Sequence, residues 1–232
     1  MPLNNNKRAI KWGEIYSLAA LSASIAISWI AYHEYQPQLL LNLHLEELAT
    51  FLIVAKAIVL VVIPPLAGLI ADSLIKKHGK FFLVFSVGIG VTAMIFMVVA
   101  TMLNLESLLK IEWLLPAMLV LWLIGMNIFV SPAISMIDTF APKDKLPIVV
   151  GVIFLITELI YALEPLVVEL VGFFGPTLTF VVGGILIGGT GYIFQRISSD
   201  EISDRRKELE QSGNRKSKSS YAIVVVVGLI IG

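Results

Sequence analysis

The stretch LATFLIVAKAIVLVVIPPLAGLIAD, residues 48–72, decides the fold of this chain. It holds a single charge, Lys56, before it ends at Asp72. A helix rises about 1.5 Å per residue, so about 20 apolar residues are enough to cross a hydrocarbon core of about 30 Å. An uninterrupted apolar run satisfies its backbone within a helix, whereas the strands of a membrane barrel alternate apolar with polar residues. The stretch therefore predicts a transmembrane helix.

Five further stretches of similar length and composition accompany it. The predicted spans are Gly13–Tyr32, Leu48–Ala71, Phe81–Leu103, Trp113–Ile137, Ile148–Val171 and Gly175–Phe194. The 232-residue chain is 57% hydrophobic and only 15% charged, and its mean hydropathy is +0.89. Soluble domains carry roughly 25% charged residues. We therefore expect an all-α polytopic membrane protein.

The polar residues divide the chain into three parts. Residues 1–195 form the predicted six-helix bundle, and residues 196–220 form a charged linker, in which DEISDRRKELEQ is typical of a short surface helix. Residues 221–232, YAIVVVVGLIIG, supply about half of a further span and predict the start of a seventh helix. The simplest expectation is a truncated sequence.

Basic residues lie mainly on one side of the predicted membrane. All but two of the 17 Lys and Arg residues fall before the first span, in 73–80, in 138–147 or in 195–220. The exceptions are Lys110, on the opposite side, and Lys56, within a span. The positive-inside bias predicts that the N-terminus and these loops are cytoplasmic. We expect an integral protein of the plasma, or inner, membrane.

Two charges lie deep in the predicted spans. Lys56 is about 12 Å from the outer end of the second span, and Glu158 is about 15 Å from the inner end of the fifth. Charges in the hydrocarbon region usually face a protein interior or a water-filled cavity. We hypothesise that both face one central cavity, as a pair or as groups that share a substrate or proton. A purely stabilising pair, or snorkelling of Lys56, is the alternative.

Two polar stripes extend this candidate site. Tyr161 shares one helix face with Glu158, and a carboxyl group beside a tyrosine at mid-depth is typical of a proton or cation site. Asn127 begins the second stripe, which continues towards the cytoplasmic end of the fourth span through Ser131, Ser135 and Asp138. Interhelical hydrogen bonding and lining of a pathway both fit this second stripe.

Small residues on two other spans indicate close helix packing. The first span carries Ser17, Ser24 and Ser28 on one face, for which cavity lining is the second interpretation. In the sixth span, Gly184 and Gly188 have the small-xxx-small spacing that lets helices approach each other.

Several function classes are disfavoured. The chain has no cysteine, which excludes disulfides and thiolate metal sites. The histidines His33, His44 and His78 fall at predicted span ends or in loops, too scattered for a metal centre. Metalloprotease, nucleophile-elbow and phosphate-loop motifs are missing from the sequence. We expect neither an enzyme nor a cofactor, a metal site or a nucleic-acid partner.

The segment GLIADSLIKKHGK, residues 68–80, joins the second and third spans and resembles a loop motif of the major facilitator superfamily. That family reads approximately G-x-x-x-D-R/K-x-G-R/K-R/K at this place. Gly68 and Asp72 match its first part, and Gly79 and Lys80 match the later glycine and basic positions. Ser73 stands where a basic residue is usual. Seven residues, and not three, separate Asp72 from Gly79, and this longer spacing is similar to that of the glycoside–pentoside–hexuronide and sucrose-type branches. The stretch SPAISMIDTFAPKDK, residues 131–145, also resembles those branches.

The resemblance implies 12 spans in two six-helix halves, with the substrate near the midplane and alternating access by rocking of the halves. Spans one, two, four and five would border the cavity, and spans three and six would be peripheral. Gly68, Asp72, Gly79 and Lys80 would form a gating loop, in which Asp72 is a hypothetical cytoplasmic latch. The chain would be the N-terminal half, and the missing C-terminal half would be its partner.

Together these features favour a secondary active transporter in the lipid bilayer. It would move a small solute, such as a sugar, with a proton or sodium ion. Glu158 would be the coupling or substrate group and Lys56 its electrostatic partner, while Asn127 and Tyr161 would donate hydrogen bonds. The alternative is a non-transporting six-span scaffold or partner subunit.

Overall fold

A computed structural model describes residues 9–42, 47–78, 81–105 and 113–212. Within these ranges the regular structure is helical, which confirms the all-α prediction. The helices are α1 (Trp12–Asn42), α2 (Leu48–His78), α3 (Phe81–Asn104), α4 (Leu114–Ser135), the short α5 (Ile137–Phe140), α6 (Leu146–Ala162) and α7 (Glu164–Ser212), with one 3-10 turn at Lys143–Lys145.

Six of the described helical segments are long and apolar enough to cross a membrane, so the chain is a multi-pass integral membrane protein. The first segment differs from its prediction, because α1 does not end at Tyr32. It continues to Asn42 through Pro37, and its membrane-compatible part runs from Trp12 to Gln38. His33 is therefore inside a helix, nine residues before its last residue, and not at a span end.

The predicted fifth span bends at Leu163, between α6 and α7. Pro165 has no backbone N–H and its ring crowds the preceding turn, which is a common cause of helix bending. The backbone N–H of Val167 still bonds the carbonyl of Leu163, so the helix resumes at once. The chain then turns back within α7 at Gly175, whose φ of 72° and ψ of 170° are outside the helical region. Glycine suits this position because a side chain rarely adopts a positive φ.

The helices pack in a row, each mainly against its two neighbours. The order is α6, α1, α7, α3, α4 and α2. The row is symmetric: α1 corresponds to α4, α2 to α6 and α3 to α7. If the members of each pair are exchanged, the same row is obtained in reverse, with the same neighbours in contact. The bundle therefore consists of two three-helix units with equivalent packing. An odd number of spans in each unit requires the second unit to cross the membrane in the opposite sense.

Burial differs sharply between the middle and the ends of this row. In the most apolar window of each segment, 61% of α1 is buried, against 11% of α2 and 6% of α6. The core is aromatic and aliphatic, and Phe85, Phe129 and Phe194 are fully buried within it. Consequently α2 and α6 present most of their surface outward.

Contacts define two ends of the bundle. At the near end, where α1 begins, the Lys11 backbone N–H bonds the Phe140 carbonyl oxygen at 3.0 Å. At the far end, where α1 finishes, Tyr35 bonds Val171 of α7. The second half of α7 returns from Gly175 to the near end, where the rings of Phe194 and Phe140 meet edge to face.

Small residues lie where α1 and α7 pack against neighbouring helices. The buried hydroxyls of Ser24 and Ser28 bond carbonyls of their own helix, Ala20 and Ser24, respectively, so this face of α1 is used in packing. Between α7 and α3, a Cβ added at Gly184 would lie 3.1 Å from the Phe96 Cβ. The structure therefore agrees with the packing interpretation of both stretches, and Ser28 also lines a small cavity.

The helical backbone continues into the predicted linker. Helix α7 runs on through residues 196–212 without interruption, so the expected short surface helix is an extension of the last span. The remainder of the linker, 213–220, and the expected start of a seventh helix, 221–232, lie outside the described residues.

Candidate functional site

The charge of Lys56 is located against α1. The Lys56 Nζ lies 2.9 Å from the His33 Nε2, close enough for a hydrogen bond. An ammonium group has only protons to donate, so Nε2 must accept, which requires a neutral imidazole with its proton on Nδ1. Both side chains lie in spans, Lys56 half-buried and His33 exposed. A base and a cation thus share one proton-dependent contact within the membrane region.

An indole ring holds the other side of the ammonium group. The Lys56 Nζ is 4.8 Å from the ring centroid of Trp29, which lies one helical turn before His33. A cation over an indole face is stabilised by the ring quadrupole. Trp29 is itself fixed edge to face by the buried Trp122 of α4 at 5.4 Å. The aromatic core therefore positions the face on which Lys56 rests.

Trp122 also stacks on Tyr32, with ring centroids 4.9 Å apart and an angle of 14° between the planes. The Tyr32 hydroxyl and the Trp122 Nε1 are buried without a hydrogen-bond partner in the structure. They line a small cavity with Ser28 and Thr179 between α1, α3, α4 and α7. Unpaired buried polar groups are costly, so these two groups mark a polar spot within an otherwise apolar core.

Carboxylates approach the Lys56–His33 pair from α6 and the start of α7. Glu164 lies within electrostatic range of the His33 imidazole, and both Glu158 and Glu164 lie within range of the Tyr161 phenol. All three of these side chains are exposed. The structure therefore brings Lys56, Tyr161 and Glu158 towards one side of the bundle, together with two residues that were not predicted, His33 and Glu164.

A direct Lys56–Glu158 pair does not form. The described partners of Lys56 are His33 and Trp29, and no described carboxylate lies within ion-pair distance of its ammonium group. The register of α1 and α2 explains this, because His33 lies about 14 Å from the end of α1, nearly the depth of Lys56 in α2. Joint action of Lys56 and Glu158 on a substrate or proton stays a prediction.

Asn127 is buried, and its amide nitrogen donates to the Leu123 carbonyl oxygen of its own helix at 2.8 Å. Its side-chain oxygen is the group left to accept a further bond. The described contacts do not connect Asn127 with Lys56 or His33.

The near end contains Gly68 and the backbone of Asp72, two of the four predicted gating positions. Gly68 faces Ser131, since a Cβ built on this glycine would lie 3.8 Å from the serine hydroxyl oxygen. Helices α2 and α4 cross in the same direction, so the backbone of Asp72 lies one turn further, level with Ser135. The side chain of Asp72, and Gly79 and Lys80 entirely, lie outside the described residues.

The rest of the second stripe leads to the same end. The Ser135 hydroxyl donates to the Pro132 carbonyl oxygen at 2.8 Å, where α4 finishes. Asp138 is exposed on α5 and lies 3.4 Å from the Thr139 hydroxyl. The structure thus places Ser131 and Ser135 beside α2 and Asp138 just beyond, but it does not reveal what they bind.

No group of three or more potential metal-ligating side chains occurs within the described part of the chain. Glu164, His33 and Trp29 are the residues of this site that were not predicted, and the last two lie on α1. Their i, i+4 spacing places them on one helix face, and a longer first span would have revealed that face.

Compared with known proteins, the chain matches no family model, no curated protein and no solved structure. The arguments for its function therefore come from its own residues.

Proposed function

We propose that this chain is the N-terminal half of a secondary active transporter of the major facilitator type. It moves a small solute by alternating access, with a proton or another cation as the coupling ion. The near end faces the cytoplasm, because the basic residues cluster there, and the membrane is the plasma or inner membrane.

Ionisable side chains at half-buried and exposed positions inside the spans carry the proposal. Lys56, His33 and Glu158 lie towards one side of the bundle, on or against α2 and α6, its two least buried spans. Charges are too costly to face lipid at this depth, so a polar cavity and further helices must cover them. Substrate and coupling groups of a transporter occupy such a position at the interface of two halves.

The packing of the helices supports the same proposal. Two three-helix units with equivalent contacts and opposite sense are the nested repeat that occurs within each half of this superfamily. In this arrangement α3 and the second half of α7 are peripheral, and α1, α2, α4 and α6 border the cavity. Glu158 is the coupling or substrate group, while Asn127 and Tyr161 donate hydrogen bonds.

Gly68 and Asp72 form the cytoplasmic gate. Gly68 faces Ser131, so α2 and α4 are in contact where the gate begins. Asp72 then engages basic groups or a helix N-terminus of the other half when the site is open to the outside.

Uptake by the full-length protein in vesicles tests the proposal. A panel of radiolabelled small solutes is offered with and without an imposed pH or sodium gradient, and one solute should accumulate only with a gradient. Glu158→Gln should abolish this accumulation. Glu169→Gln removes another exposed carboxylate of the predicted fifth span, nearer the far end, and should leave uptake intact.

Two outcomes count against the proposal. Failure of every solute to respond to a gradient would favour a six-span scaffold or partner subunit. Equal uptake by the Glu158→Gln and Glu169→Gln variants would remove Glu158 from the coupling site.

A further inference from the structure

We infer that Lys56 and His33 form a binding site for the carboxylate of a small organic acid, and that His33 takes up a proton when this anion binds. The inference rests on the proposed transport function and specifies its substrate class and its coupling ion.

The described contacts of Lys56 leave its charge unneutralised. Its described contacts are the neutral His33 imidazole and the face of Trp29, and neither removes the positive charge. Buried or membrane-embedded charges are usually paired with an opposite charge. The Trp29 ring instead holds the ammonium group in a fixed position through its contact with Trp122. Lys56 is thus arranged before a ligand arrives, and an anion is the ligand that neutralises it.

The Lys56–His33 contact depends on the protonation state of the imidazole. At 2.9 Å, the His33 Nε2 can accept from the ammonium group only while the imidazole is neutral. If a proton binds at Nε2, this hydrogen bond is lost and two cations face each other. A carboxylate between them accepts one hydrogen bond on each oxygen and relieves the repulsion. The anion and the proton therefore strengthen each other's binding, and the coupling is reciprocal.

The surrounding charges set the strength of this coupling. On α1, Glu34 accepts a hydrogen bond from Gln38. Tyr161 and Glu158 on α6, and Glu164 on α7, are the other titratable groups on this side. Glu164 lies within range of His33, so its negative charge repels a carboxylate that enters the site. Neutralising Glu164 should consequently strengthen anion binding.

A neutral sugar fits this site less well. Its hydroxyls would bond to Lys56 or His33 but would leave the charge uncompensated, and its binding would not depend on the protonation of His33. The pH dependence of binding therefore distinguishes an organic acid from a sugar.

Binding of propionate to the purified full chain tests the inference. Equilibrium dialysis of radiolabelled propionate reports occupancy, and this readout does not depend on the Lys56 ammonium group. Titrations at about pH 5.5 and about pH 7.5 lie on either side of the usual imidazole pKa of about 6.5. In vesicles of zwitterionic lipid, which exclude a lipid anion as the ligand, propionate should bind about tenfold or more tightly at the lower pH.

The variants separate the roles of the two residues. Lys56→Gln should abolish binding, whereas Lys56→Arg should retain part of it and shows that the site still folds. His33→Gln should bind weakly and equally at both pH values, and Glu164→Gln should bind more tightly than the parent. Lys145→Gln, an exposed near-end control, should behave as the parent does.

Several results would overturn the inference. These are a pH dependence that persists in His33→Gln, binding that persists in Lys56→Gln, or binding of phosphate or a neutral sugar in place of propionate. Gradient-driven uptake of a neutral solute without propionate binding would sink the inference and leave the transporter intact. Proton-linked propionate binding without any uptake would leave the inference intact and contradict the transporter proposal.

Discussion

The hydroxyl of Tyr35 on α1 donates a hydrogen bond of 2.7 Å to the carbonyl oxygen of Val171 on α7. The same carbonyl accepts the Thr179 hydroxyl at 3.3 Å from beyond the turn at Gly175. One backbone oxygen thus links the end of α1 to both sides of the point where the chain reverses. The Tyr35 ring also packs against Phe180, with centroids 6.2 Å apart. This contact fixes the far end of the bundle.

Removing the Tyr35 hydroxyl should loosen this end. Tyr35→Phe keeps the ring but leaves the Val171 oxygen with one fewer donor, so the free energy of unfolding should fall by about 1 kcal/mol. Thermal unfolding in detergent measures the change. Tyr16→Phe is the matched control, since Tyr16 is 56% exposed, and equal shifts for both variants would contradict the assignment.

The α3–α4 contact should not tolerate a methyl group. A Cβ at Gly125 would lie 2.6 Å from the Thr92 hydroxyl oxygen, which is held by its bond to the Gly88 carbonyl. Gly125→Ala should therefore lower the free energy of unfolding by about 1–3 kcal/mol.

Gly90→Ala is the control on α3, because its added Cβ meets nothing within 4 Å. It should be neutral or stabilise the helix by up to about 1 kcal/mol. The same thermal measurement serves both variants, and a stable Gly125→Ala protein would show that the two helices do not touch as described.

The approach of α2 to α4 can be tested by cross-linking. The chain has no cysteine, so a double variant with Gly68→Cys and Ser131→Cys introduces the only thiols. An added Gly68 Cβ would lie 3.8 Å from the Ser131 hydroxyl oxygen, so the two new thiols would face each other at short range. Mild oxidation should shift its mobility on a non-reducing gel.

Gly151→Cys combined with Ser131→Cys is the negative control, because a Cβ at Gly151 meets nothing within 4 Å. Efficient cross-linking of that control, or none of the Gly68 pair, would reject the described register of α2 and α4.

Asp72 should matter for the transport cycle. We expect Asp72→Asn to slow gradient-driven uptake by about fivefold or more, because a latch that stabilises one state contributes on the order of 1–3 kcal/mol to the balance. Protease accessibility of the near end should shift along with the rate. Asp144→Asn, an exposed carboxylate at the same end, should change neither.

Hydropathy alone is sufficient to predict the spans, because crossing a membrane requires length and apolarity, which are local properties of a sequence. The same criterion ended α1 at Tyr32, since HEYQPQ is polar. In the structure Tyr35 is only 4% exposed, and its hydroxyl is satisfied by another helix. A polar side chain can therefore continue a span when a neighbouring helix supplies its partner, and a single sequence does not reveal that neighbour.

For the candidate site, the sequence predicts several of the residues but not the contacts between them. Lys56, Glu158 and Tyr161 could be found because charged and polar groups are rare in apolar segments. The contact of Lys56 with His33 could not, because it depends on how far α1 extends and how it is rotated against α2. Depth along a helix can be counted from the sequence, whereas rotation is set by packing.

The unbroken backbone of α7 beyond Gly175 has a mechanical consequence. Residues 176–212 form about 55 Å of helix, well beyond a hydrocarbon core of about 30 Å. The part of α7 beyond the bilayer acts as a lever. A small tilt of the membrane-spanning part therefore moves the end near residue 212 over a larger distance. A protein that grips this arm from the aqueous side would thus exert torque on the membrane-embedded helices, and would in turn sense their motion.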